Sequence, residues 1–126
     1  MRPTPPPHEL ARLRADALAA WMEGVRAVRP EDCVRHALAR RPDLSSSRTL
    51  IVAVGKAAAG MLRGAMGQAA DARAIVLLPE AGEAGELPAS ALVLRGGHPF
   101  PTPRGIASTK RILAAVDGLG RDDRLL

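Results

Sequence analysis

The run Thr49-Leu-Ile-Val-Ala-Val54 constrains this chain more than any other stretch of it. It is almost wholly apolar and rich in branched side chains, the pattern of a strand buried on both faces within a parallel sheet. Gly55 ends the run, and residues 57–70 follow as a segment of small residues whose alanines let a helix approach a sheet closely. Residues 74–78, Ala-Ile-Val-Leu-Leu, then read as a second strand. Strand, helix and strand in this order make a right-handed crossover unit.

The same alternation continues downstream. An acidic loop rich in Gly and Pro occupies residues 79–88, residues 91–94 read as a third strand, and residues 104–116 as the helix after it. Arg124-Leu-Leu126 has the composition of a strand's opening residues, which leads us to expect that the strand and its following helix are missing from this chain. Upstream, Leu10, Leu13, Ala17, Trp21, Val25 and Val28 recur at steps of three and four, so residues 8–28 are predicted to form an amphipathic helix. Its Leu13, Trp21 and Val25 face is expected to pack on the core, with Trp21 as a core anchor rather than a ligand-stacking group. Pro30, with Glu31 and Asp32 behind it, suits the start of a second helix running to about Arg40, because proline lacks only a donor that would be orphaned there and acids favour the positive end of the dipole. Pro42 stops that helix, and residues 43–48 form a turn. Residues 1–7 are a Pro-rich leader, expected to be a mobile tail, and residues 8–126 form one unit. The predicted class is α/β: a helical preface, then a Rossmann-like parallel sheet with crossover helices, incomplete at its carboxyl end.

Several function classes are disfavoured. The apolar runs are of strand length, far below the roughly 20 residues that cross a bilayer, so no membrane partner is expected. The N-terminus carries prolines where a secretory signal would have an apolar core, so a cytoplasmic location is expected. Cys33 is the one cysteine and has no internal partner, and three scattered histidines beside it do not have zinc-site spacing. The net charge of +5 invites a nucleic-acid reading. Against it, the arginines are spread along every segment and the aromatic residues are limited to Trp21 and Phe100, which leaves no stacking platform. Among the 18 basic residues only Lys56 and Lys110 are lysines.

Ligands of open α/β sheets bind at the carboxyl ends of the strands, where helix N-termini present free backbone donors. Two loops fall at that edge. The first is Gly55-Lys56-Ala57-Ala58-Ala59-Gly60, where Gly55 permits a tight turn and Lys56 can extend an ammonium over the crevice to hold a phosphate or carboxylate. Met61-Leu62 stands where a Walker loop needs Lys-Ser/Thr, and the spacing is not that of a dinucleotide fingerprint. On the residues alone, Lys56 is either such an anion-holding group or a solvated lysine at a helix start, with Gly60 there for close packing. The second loop is Gly96-Gly97-His98-Pro99-Phe100-Pro101-Thr102-Pro103. Its glycines let backbone approach a ligand, its prolines stiffen it, and Thr102 before Pro103 reads as a helix cap. His98 can donate to an anionic substrate or act as acid or base, or it can be an orienting, structural histidine.

Together, the GKAAAG stretch from Gly55, the GGHPFPTPRG stretch from Gly96, the Arg111-Ile-Leu segment and the Gly118-Leu-Gly-Arg-Asp-Asp segment resemble the N-terminal domain of glycerate 2-kinases. That family belongs to the MOFRL-containing group often labelled hydroxypyruvate reductases. Phe100 stands where an aliphatic residue is usual, and Thr102 where an acid is frequent. The resemblance implies ATP- and Mg2+-dependent phosphoryl transfer to the 2-hydroxyl of D-glycerate, in a cleft between two α/β domains. Lys56 matches the family's active-site lysine, and Gly55, Gly60, Gly97 and His98 fall in stretches expected to contact substrate. A Ser-Gly-Gly-Gly-Ser-type loop and a second domain would follow the strand begun at Leu125, so the fragment is expected to be inactive alone and prone to self-association. An NAD(P)H-dependent reductase and a non-catalytic anion-binding module are the alternatives; the missing glycine fingerprint weighs against the first.

Overall fold

The computed structural model of the chain describes residues 6–44, 48–69 and 71–126. The apolar runs become β1 (Thr49–Val54), β2 (Arg73–Pro79) and β3 (Leu92–Gly96), and the last residues become β4 (Arg124–Leu125). All pairings are parallel, in the spatial order β3-β2-β1-β4. Residues of β1 and β2 point alternately to two different cores. Ile51, Ala53, Ala74, Val76 and Leu78 enter one, while Leu50 and Ile75 enter the other with Leu94. Both faces are covered, which is why the two central strands lack a polar alternation.

On the first face lie α2 (Pro30–Leu38) and α3 (Ala58–Met66). The small residues of α3 bring it down on the sheet, with Ala58 and Leu62 fully enclosed. Gly64 brings α2 and α3 together, since a Cβ there would overlap the backbone carbonyl of Glu31. On the second face lies α4 (Pro103–Asp117), anchored by Ile112. This is the expected α/β architecture, with α3 crossing between β1 and β2.

The boundaries differ in places from those read off the sequence. β3 runs through Gly96 rather than stopping at Leu94, because Pro79 and Gly96 still pair across the ladder. α3 is shorter than residues 57–70: it ends at Met66, where Gly67 and Gln68 turn the chain, and Ala70 lies outside the described residues. α2 gives way after Leu38 to a short 3-10 turn, Pro42–Leu44, and the serines at 45–47 lie outside the described residues. Pro7, assigned above to the leader, is instead the first residue of α1 (Pro7–Ala27), a position where its missing N–H costs nothing.

The larger correction concerns α1. It is the expected amphipathic helix, but no residue of it is buried. Leu13 is 50%, Trp21 62% and Val25 47% exposed, so Trp21 is not a core anchor here. The periodicity gives the helix and its apolar stripe, but no residue of that stripe is buried against the core. Val28 and Arg29 alone separate α1 from α2, and so short a link does not carry α1 back over a sheet whose faces α2, α3 and α4 occupy.

Among the described residues no helix is long and apolar enough to cross a membrane, and no group of three potential metal ligands occurs. Cys33 is an exposed free thiol.

Candidate active site

The carboxyl ends of β1, β2 and β3 form one crest, and each continues into a loop of defined geometry. At the end of β1 the chain turns at Gly55, whose φ of +106° lies in a region that side chains disfavour. Its N–H donates to the Leu77 carbonyl at 2.9 Å, which ties the turn to β2, and its own carbonyl accepts from the Ala58 N–H as α3 begins. Lys56 is thereby held between strand and helix with its side chain exposed. Among the described residues no carboxylate pairs with it, whereas Arg26, Arg35, Arg41, Arg48, Arg63, Arg104 and Arg124 all do pair with acids.

At the end of β2 the turn over residues 79–82 closes through the Gly82 N–H donating to the Pro79 carbonyl at 2.9 Å. Glu80 donates its N–H to the Gly96 carbonyl at 3.0 Å, and its carboxylate pairs with Arg104 at 3.0 Å. At the end of β3, Gly96 and Gly97 leave no room for a side chain. A Cβ on Gly96 would press on the Gly105 backbone, and one on Gly97 would overlap Thr102 and the Phe100 carbonyl. The Thr102 hydroxyl accepts from the Gly97 N–H at 3.1 Å and from the Gly105 N–H at 3.2 Å. One side chain therefore caps α4, as its position before Pro103 indicated, and also folds the loop bearing His98 back on that cap. The His98–Pro99 peptide is cis, and Phe100 projects outward with 78% of its surface exposed.

Two adjoining clefts result. One, of about 560 Å³, is lined by Lys56, residues 79–82, Gly97, His98, Phe100 and Thr102. The other, of about 380 Å³, lies on the α4 side and is lined by Val54, Gly55, Leu77, Gly97, His98, Ile106, Thr109 and Lys110 among others. They share Pro79, Gly97 and His98. Gly55, Lys56, Gly97 and His98 are thus brought together. Gly60 lines neither cleft: it sits within α3 against the Pro30 side chain, in an adjoining hollow that Lys56 also lines, with Arg63 and residues 83–85. α3 begins at Ala58, one residue later than expected, so Gly60 falls in its first turn.

An unpaired ammonium that lines one cleft with Gly82 and Gly97 suits an oxyanion such as a phosphate or carboxylate. The residues do not suit a divalent metal equally well. Glu80 is the one carboxylate lining the larger cleft, and Arg104 already neutralises it. Magnesium takes one or two carboxylates in addition to substrate phosphates, so this chain alone does not supply a magnesium site. Sequence reasoning missed Lys110, Thr109 and the Glu80–Arg104 pair. The scarcity of lysine was a usable signal for Lys110; the pair depends on how two loops meet, and nothing local announces it.

A family model described as "Domain of unknown function (DUF4147)" matches residues 16–126. A D-glycerate 2-kinase of Thermotoga maritima is 31% identical over 123 residues, covering 95% of this chain and 28% of the relative. The crystal structure of a glycerate kinase from Thermotoga maritima superimposes with a TM-score of 0.76 at 30% identity, covering 94% of this chain and 28% of that one. This chain therefore spans little more than a quarter of the relatives it matches, and by the family match over residues 16–126 it belongs to the DUF4147 family.

Proposed function

We propose that this chain supplies one wall of the catalytic cleft of a D-glycerate 2-kinase. The observation that carries the reading is the position of Lys56, an acid-free ammonium on the sheet crest facing Gly97 and His98, in a chain whose relative bears that activity. In the reaction, the 2-hydroxyl oxygen of D-glycerate attacks the γ-phosphorus of ATP, the bond from that phosphorus to the β,γ-bridging oxygen breaks, and ADP leaves. The hydroxyl proton passes to solvent or to a basic group. Such transfers depend chiefly on positioning and on stabilising charge over the phosphoryl oxygens. Lys56 provides that charge from one side. Backbone at Gly97 allows close approach, and His98, in the rim shared by both clefts, is placed to donate a hydrogen bond to an anionic group of the substrate. Magnesium would supply charge neutralisation of the nucleotide, with its ligands drawn largely from outside these 126 residues.

In an intact enzyme carrying this domain, Lys56→Ala should lower turnover by on the order of a hundredfold or more, the loss seen when a single electrostatic donor is removed. Stability should fall by less than about 1 kcal/mol, since the side chain is exposed and fills no core. Lys56→Arg should recover little, because a planar guanidinium does not fit a compact ammonium site. Turnover and melting temperature of both variants decide the matter. Near-normal turnover in Lys56→Ala would reduce Lys56 to a solvated helix-start residue.

A further inference from the structure

Arg95 lines neither cleft, yet it organises the wall of one of them. It occupies the fourth position of β3, after three apolar residues, and is half-buried. Its Nη1 donates to three backbone carbonyls, those of Pro79 at 3.1 Å, Glu80 at 3.2 Å and Gly82 at 2.5 Å. No carboxylate pairs with it among the described residues. Its own carbonyl accepts from the buried Ser108 hydroxyl at 2.7 Å, which fixes this end of the strand to α4.

Three carbonyl oxygens aimed at one nitrogen concentrate partial negative charge at a point. Without a cation there they repel one another and turn outward to find water. The turn over residues 79–82 is the same backbone that faces Gly97 and His98 across the larger cleft, and it carries Glu80 to its partner Arg104. We propose that Arg95 is a positioning residue: by gathering the three carbonyls it holds the 79–82 turn as the wall of the Lys56 cleft, so that anion binding in the cleft depends on a side chain that never touches the anion. The role in binding rests on the reading of the cleft given above, whereas the ordering of the turn can be measured independently of it.

The test uses the 126-residue chain, with Arg95→Met to remove the donors and Arg95→Lys to keep them. All three carbonyls converge on a single nitrogen, so an ammonium with its three donors can satisfy them, and lysine should restore what methionine loses. Amide hydrogen exchange reports the turn. Inorganic phosphate, titrated by NMR with Lys56 and His98 as reporters, reports the cleft. In Arg95→Met, exchange over residues 80–85 should speed up by about tenfold or more while the amides of β1 and β2 change little, and phosphate affinity should fall by about tenfold, the scale of lost charge-assisted hydrogen bonds. Arg95→Lys should return both to within about threefold of the parent. Unchanged exchange in the turn, or loss of protection spread evenly through the sheet, would refute the ordering role. A loosened turn with phosphate affinity intact, or no rescue by lysine, would refute the positioning role. No phosphate binding by the parent chain would overturn the reading of the cleft and the positioning role together, and so is told apart from a defect confined to Arg95→Met.

Discussion

Replacing Thr102 by valine keeps the volume and branching of the side chain and deletes one oxygen. That oxygen accepts two backbone N–H groups, from Gly97 at 3.1 Å and Gly105 at 3.2 Å. Losing the cap bond to Gly105 costs about 1 kcal/mol, the usual figure for a helix N-cap. Losing the bond to Gly97 adds about 1 kcal/mol, because that half-buried donor is then left unsatisfied under the valine methyl. The total of about 2 kcal/mol corresponds to a fall in melting temperature of roughly 6 to 12 °C for a domain of this size. Circular dichroism melts of the parent, Thr102→Val and Thr102→Ser decide the question. Serine retains both bonds and should stay within about 1 kcal/mol of the parent, the usual range for a mild substitution. The NMR signal of the Gly97 amide proton should move in the valine variant and not in the serine one. A valine variant within about 0.5 kcal/mol of the parent, inside the range of neutral surface changes, would refute the dual role of the hydroxyl.

Gly64→Ala should destabilise the chain by several kcal/mol or prevent folding, since the new methyl meets the Glu31 carbonyl and backbone cannot yield as a side-chain tip can; urea melts beside Gly67→Ala, where a Cβ meets nothing closer than 3.6 Å, give the comparison. Asp123 is held below the usual carboxylate range, first by the Gly120 N–H and then by Arg48, so it stabilises the fold above the ordinary aspartate value and this contribution disappears as pH falls through the lowered one. Asp123→Asn should flatten the acid side of the stability profile, and an unchanged slope in acid titrations would count against the bond to Gly120. The exposed stripe of Leu13, Trp21 and Val25 should make the chain associate with rising concentration, and Trp21→Glu should reverse this in sedimentation velocity; a strictly monomeric parent would contradict it.

The central sheet was legible because burial on both faces leaves a simple record: Thr49–Val54 has no polar interruption, and no other element tolerates that. The cap at Thr102 was legible for a similar local reason, a hydroxyl directly before a proline. Gly60 was legible as a close-packing glycine, since it lies against Pro30, but spacing along the chain did not show that it lines a hollow beside Lys56 outside the two clefts. Trp21 was misread for a different reason, since an apolar stripe specifies that something covers it and is silent about what. Arg95 was the least legible of all. Its partners are carbonyls, which every residue has, and only the folded turn aims three of them at one nitrogen.

The glycine contact between α2 and α3 has a mechanical consequence. α1 is a stiff rod of 21 residues, about 30 Å long. Two residues join it to α2, and the junction is braced by the Arg29 N–H on the Arg26 carbonyl and the Cys33 N–H on the Arg29 carbonyl. α2 is in turn locked to α3 at Gly64 and Gly60, and α3 begins two residues after Lys56. A body seated on α1 would therefore hold a long lever whose short arm ends beside the Lys56 ammonium. Displacements there would reach Lys56 through rigid segments rather than be absorbed by slack chain, and a tilt of the rod by a few degrees would be geared down to a sub-ångström adjustment at the crest.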